Sequence, residues 1–182
     1  MVESYRIVGA LGSPYTMKLR AILRYRRIPH RFELRNGAIR EETQDVRPQM
    51  VPMMKYPNED AWRVDSTPIA LELEQRLPGQ RSILPDDAVH QFLCALVEDF
   101  ADEWLMKAMF HYRWYYAADR HYASNWIAMD QWAADAGGRA ERKAFAQDFH
   151  DRQVGRMALV GCTDENRGVI EATYERVLDV LD

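Results

Sequence analysis

The chain is short of cysteine: Cys94 and Cys162 are the only two in 182 residues, and neither belongs to a C-x-x-C pair. That excludes a disulfide framework and a cysteine-rich zinc site, and it suits a reducing cytoplasm. No run of about 18 apolar residues and no signal peptide can be found, so neither membrane spanning nor export is predicted. Positive charge is not in excess either, with 24 Lys and Arg against 28 Asp and Glu. The resulting net charge of -4 argues against a nucleic-acid partner. Gly9 and Gly12 invite a dinucleotide cradle, but G-x-G-x-x-G fails because Leu11 holds the second glycine position. No histidine lies in H-E-x-x-H, and Glu98, Asp99, Asp102 and Glu103 lack the E-x-x-H pairs of a bundle di-metal site, so no metal is predicted. These exclusions leave a soluble globular chain, long enough to build a core without staples.

Periodicity divides the sequence in two. Residues 5–10 read as an apolar strand, and a helix over 15–27 carries Tyr15, Leu19, Ile22 and Leu23 on one stripe with arginines opposite. A second strand, 31–34, follows the break at Pro29, and a short helix over 38–46 follows Asn36-Gly37. Strands at 53–56 and 61–64 are joined by the turn-rich Pro57-Asn58-Glu59-Asp60. A helix over 66–77, with Ile69, Ala70, Leu73 and Leu77 on its stripe, is stopped by Pro78-Gly79. The order is βαβαββα over residues 1–77, followed by a linker at 78–85.

Residues 86–182 contain no strand pattern. Val89, Phe92, Leu93, Leu96, Phe100 and Trp104 recur every three or four positions, which predicts a long helix starting near Asp86. Further helices are predicted over 123–135, 139–158 and 165–182, punctuated by Gly137-Gly138 and by residues 161–164. The last stripe, Ile170, Tyr174, Val177, Leu178 and Leu181, runs up to Asp182 without a capping glycine. An incomplete helical domain from a longer protein is therefore expected.

Gly12-Ser13-Pro14-Tyr15-Thr16 places a hydroxyl where the first strand hands over to a helix N-terminus. Free N–H groups and the positive end of the helix dipole favour an anion there. The pentapeptide resembles the Cys-Pro-Tyr-Cys turn of glutaredoxins, with Ser13 and Thr16 in place of both cysteines. Any sulfur must then arrive on a ligand. Two further motifs follow in order: Gln49-Met50-Val51-Pro52 before the third strand and Asp65-Ser66 at the third helix.

With these motifs, a βαβαββα module leading into an all-helical domain resembles the glutathione S-transferase family. The resemblance implies an α/β thioredoxin-like N-terminal domain and a Val51-Pro52 peptide in cis that reads the cysteinyl backbone of glutathione. It also implies that Asp65 and Ser66 grip the γ-glutamyl end, the helix N-terminus holding the α-carboxylate and Asp65 the ammonium. Ser13 takes the place of the catalytic serine or cysteine, with Tyr15 second choice and Tyr5 third. His111, Tyr112 and Tyr115, from the run Phe110-His111-Tyr112-Arg113-Trp114-Tyr115-Tyr116, are the residues expected to reach an electrophile pocket. The implied protein is a cytoplasmic homodimer with glutathione as co-substrate and no metal. Its reaction is a detoxification-type conjugation of a hydrophobic electrophile or a related glutathione-dependent step. Two departures stand out: Met50 replaces the lysine that many relatives use for the glycyl carboxylate, and the serine and acidic pair that caps a later helix is missing.

The chemistry asked of Ser13 is modest. A thiol has a pKa of about 8.5, and lowering it by ~2 units takes about 2.7 kcal/mol. One charge-assisted hydrogen bond and a helix N-terminus supply most of that. Several readings stay open. Ser13 activates the thiol or only caps the helix; the aromatic run lines a pocket or packs the core; and the fold is an enzyme or a non-catalytic ligand-binding or interaction module. A serine acyl nucleophile is disfavoured without a G-x-S-x-G elbow. Thiol-disulfide exchange is disfavoured because Cys94 and Cys162 lie far from the turn. The acids at 98–103 and the basic residues Lys18, Arg20, Arg24, Arg26 and Arg27 read as solvated faces, or as complementary faces across a dimer interface.

Overall fold

The computed structural model describes residues 4–79, 81–132 and 138–182. Strands β1 (Tyr5–Gly9), β2 (His30–Leu34), β3 (Met53–Lys55) and β4 (Trp62–Val64) alternate with helices α1 (Pro14–Tyr25), α2 (Gly37–Glu42) and α3 (Ser66–Arg76). The predicted βαβαββα order and four-strand sheet are those observed. The sheet order is β2-β1-β3-β4. β1 runs parallel to β2 and antiparallel to β3, with Ile7 beside both Phe32 and Met54, and β3 pairs antiparallel with β4. The parallel β1–β2 pair needs a crossover, which α1 supplies.

Centrality explains the composition of β1: Ile7 and Val8 have no exposed surface, as a strand covered on both faces requires. Ile7 packs with Leu19 and Leu23 of α1, Met54, and Ile69 and Leu73 of α3. Each such side chain contributes about 1.5–3 kcal/mol on burial. Gly9 permits a close approach, since a Cβ there would lie 2.5 Å from the Thr16 side chain. α1 ends at Tyr25 rather than at the expected 27, because Arg27 adopts a left-handed φ of 55° and Pro29 follows.

The remaining helices are α4 (Ala88–Asp99), a π-helical segment (Phe100–Leu105), α5 (Met106–Trp114), α6 (Ala117–Trp132), α7 (Arg139–Val154), a 3₁₀ turn (Ala158–Val160) and α8 (Arg167–Leu181). By compactness the chain divides into Met1–Asp87 with Met129–Gly137, and Ala88–Ala128 with Gly138–Asp182. The last turn of α6 thus belongs to the α/β unit. The helical unit is organised around Trp114, Ala123, Met157 and Cys162, flanked by Phe110, Ile127, Phe149 and Ile170. The long predicted helix is interrupted by the π segment, and its stripe is not core: Val89, Phe92, Leu96 and Trp104 are 53–67% exposed. The helix predicted from 123 begins at Ala117, and residues 133–135 of that expectation and Gly137 lie outside the described residues. Among the described residues no helix is long and apolar enough to cross a membrane.

Candidate functional site

The turn between β1 and α1 is built as the sequence suggests. Ser13 is the N-cap of α1, its Oγ accepting from the Thr16 N–H at 3.2 Å, and Pro14 opens the helix with a preset φ. A hydroxyl that accepts one N–H still has its own proton to donate. Capping and donation to a sulfur are therefore compatible at Ser13. Tyr15 is half-buried in the first turn of the same helix. Tyr5 is not near this turn along the strand: it begins β1, four residues or about 13 Å from the end that leads into Ser13. Its ring packs edge-on against Tyr56 at 5.4 Å.

The loop before β3 is held by Gln49, whose amide donates to the carbonyls of Thr43, Gln44 and Val46 and accepts from Arg35. Beyond it the Val51-Pro52 peptide is cis, as the resemblance implies, and Pro52 is buried. Met50 is 44% exposed.

Asp65 caps α3, accepting from the Thr67 N–H at 3.3 Å. Its φ of 76° and ψ of 129° lie where a residue with a Cβ is strained, a feature that recurs at ligand sites. Ser66, next to it, is 1% exposed, and its Oγ has no hydrogen-bond partner among the described residues. A buried orphan hydroxyl at a helix N-terminus suits a ligand acceptor, since leaving it unmatched costs about 1–3 kcal/mol. Sequence reading missed a cation beside it: Lys18 of α1 donates to Thr67 Oγ1 at 2.8 Å. Only the α1–α3 packing brings these residues together, 49 positions apart.

A carboxylate from within the α/β unit meets the residues just before Ser13. The Leu11 N–H donates to Asp130 Oδ2 at 3.0 Å, and the Gly12 N–H bonds the same carboxylate. These two amides precede the Ser13 cap and are engaged from within the chain. Burial raises the Asp130 pKa, and the two N–H groups oppose that shift. No local signal in residues 127–132 marks this aspartate.

In the helical unit the expected pocket residues form a hydrogen-bonded aromatic cluster. His111 has no exposed surface; its Nε2 lies 3.0 Å from Glu171 Oε1, and the rings of Tyr112, Tyr115 and Tyr116 surround it. It packs within the unit, from the buried face of α5. Tyr112 and Tyr115 stay partly exposed. The Tyr115 phenol donates to Asp164 at 2.6 Å, which holds its pKa above the usual range. A separate cleft of about 300 Å³ in this unit is lined by Phe100, Trp104, Leu105, Ala108, Val160 and Ile170, among others, and includes none of the three expected residues.

Residues 7–81 match the family model described as the glutathione S-transferase N-terminal domain. Over these residues the chain is similar to a glutathione S-transferase N-terminal domain, and the thioredoxin-like fold leads into a helical region. No curated protein matches the chain in sequence. Among solved structures, the Tau class glutathione S-transferase of mango, Mangifera indica, is 17% identical with a TM-score of 0.47, over 84% of this chain and 60% of that one. A glutathione transferase homolog from Burkholderia gl BGR1, solved with glutathione, is 11% identical with a TM-score of 0.48, over 86% and 97%. The enzyme of Ceriporiopsis subvermispora, in complex with glutathione, is 18% identical with a TM-score of 0.45, over 88% and 78%. The chain spans less than two thirds of the mango enzyme's length, and similarity at these scores adds nothing to what the residues carry.

Proposed function

We propose that the α/β domain binds glutathione along Val51-Pro52, with the γ-glutamyl end at Asp65 and Ser66 and the sulfur beside Ser13. The observation that carries this reading is the buried, unpartnered Ser66 hydroxyl at the N-terminus of α3, next to a strained Asp65. A carboxylate there would gain a hydroxyl donor and the helix dipole together, and an ammonium would meet Asp65. Lys18 offers a cation near the same helix end. The reaction is conjugation of the glutathione thiolate to a hydrophobic electrophile or a related glutathione-dependent step. Ser13 donates to the sulfur, Tyr15 is the second donor, and Tyr112 and Tyr115 serve the electrophile side. The protein acts in the cytoplasm as a homodimer, a reading that the exposed apolar residues of α4 support.

Asp65→Asn tests the binding mode. Asparagine still caps a helix and tolerates positive φ, but it carries no charge. Glutathione affinity is expected to fall about tenfold or more, the worth of one charge-assisted hydrogen bond. Equal affinities by calorimetry would remove Asp65 from the site. A non-catalytic glutathione-binding module is the second reading, favoured by Met50 at the position where many relatives place a lysine; it requires binding without turnover.

A further inference from the structure

Asp130 is an ionisable side chain at the β1–α1 turn with no part in the proposed glutathione contacts. It is 7% exposed and reaches the turn from the last turn of α6, 119 residues beyond Leu11 in sequence. Its position is fixed on its other side too. Asn36 Nδ2 donates to the Asp130 carbonyl at 2.9 Å within the interior, which is why that asparagine caps α2 without a side-chain bond. The next residue, Gln131, accepts from Arg40 at 2.7 Å through its own side chain. Among the described residues no cation pairs with the Asp130 carboxylate; what holds it is the pair of N–H groups at Leu11 and Gly12.

We propose that Asp130 is a positioning residue of this site, fixing the turn that presents Ser13 and supplying the negative charge against which any thiolate beside Ser13 must form. The proposal rests on the reading of Ser13 as the sulfur-facing residue. Two effects act in the same direction. The carboxylate consumes two backbone donors that would otherwise favour an anion at the turn, and its own charge disfavours a second anion nearby. In a buried setting this repulsion is little screened by salt. Asp130 thus offsets part of what the α1 dipole gives the thiolate, and it keeps a bound thiol more protonated than a bare helix N-terminus would.

The test places a thiol at the position itself, so glutathione takes no part in it. In a Cys94→Ser background, Ser13→Cys is titrated by thiolate absorbance; Cys162 is buried and its thiol is pushed up by burial, so it does not interfere. A cysteine at a helix N-terminus ordinarily falls to about 3.5–7.5. Opposed by Asp130, this one is expected to titrate no lower than about 8, near the ordinary thiol value. Adding Asp130→Asn, which removes the charge and keeps one acceptor, is expected to lower it by about one unit, whereas Asp130→Glu keeps the charge and leaves it within a few tenths. A thiol that does not respond to Asp130→Asn, or that responds equally to both substitutions, overturns the proposal. So does a Ser13→Cys thiol that already titrates below about 7 with Asp130 in place, a result available even if Asp130→Asn does not fold. Failure of glutathione to bind would leave this measurement unaffected.

Discussion

Ser13→Ala is expected to lower turnover roughly 10- to 100-fold while glutathione affinity changes by less than about threefold. The asymmetry follows from what the hydroxyl does. Its donated hydrogen bond strengthens as the sulfur becomes anionic, so its loss weighs on the charged species more than on bound neutral thiol. Losses of 10- and 100-fold correspond to about 1.4 and 2.7 kcal/mol, close to the span of about 1.5–3 kcal/mol for one hydrogen bond to a charged group. Removing the same oxygen also uncaps α1, because Ser13 Oγ accepts from the Thr16 N–H. That part costs about 1 kcal/mol of stability and is read separately by thermal unfolding. Ser13→Thr restores both the hydroxyl and the cap and is expected to recover most of the rate. Steady-state kinetics with an activated aryl halide gives kcat and KM for each variant. An unchanged kcat in Ser13→Ala would take the serine out of the mechanism.

The largest stability effect is expected away from the site, at Glu74. Its carboxylate lies 3.0 Å from Arg26 Nη1, with the two side chains 10% and 2% exposed. Glu74 also accepts from Ser82 Oγ at 2.7 Å and from the Ile83 N–H at 3.2 Å, so it ties the end of α1 and α3 to the segment after α3. Arg26 Nη2 donates to the Leu77 carbonyl at the C-cap of α3. Glu74→Ala leaves the guanidinium buried without a counter-charge, and a loss of about 3–5 kcal/mol is expected. Replacing both partners by apolar residues of similar size should cost much less, because no charge is then stranded. Urea denaturation of the single and double variants measures both. A loss below about 1 kcal/mol for Glu74→Ala would mean that water reaches Arg26.

Much of the α/β unit was legible because its signals are local. The β1–α1 junction declares itself through Ser13 and Pro14, the end of α3 through Pro78-Gly79, and the loop before β3 through Val51-Pro52. The core stripe of α1 follows from spacing alone, although Thr16 proves as buried as Leu19 because Gly9 lets the first turn approach β1. What was illegible depends on distance in sequence. Nothing within residues 117–132 announces that Asp130 bonds the amides of Leu11 and Gly12, and nothing in α1 links Lys18 to Thr67. The helical half misled in a different way. Helical spacing of Val89, Phe92 and Leu96 predicts a helix and is silent on whether the stripe is covered. The break at Tyr115–Tyr116 carries no glycine or proline, so α6 begins earlier than punctuation suggests. The resemblance places His111 toward a pocket while its aromatic neighbours read equally as packing, and those rings enclose it.

The measurement that bears most directly on this account is calorimetric titration of reduced glutathione into the full chain. One site per chain with Kd at or below about 1 mM is expected, weakened by Asp65→Asn. A folded sample that takes up no glutathione would contradict the account, and Met50, at the position where many relatives place a cation, would be the first residue to replace.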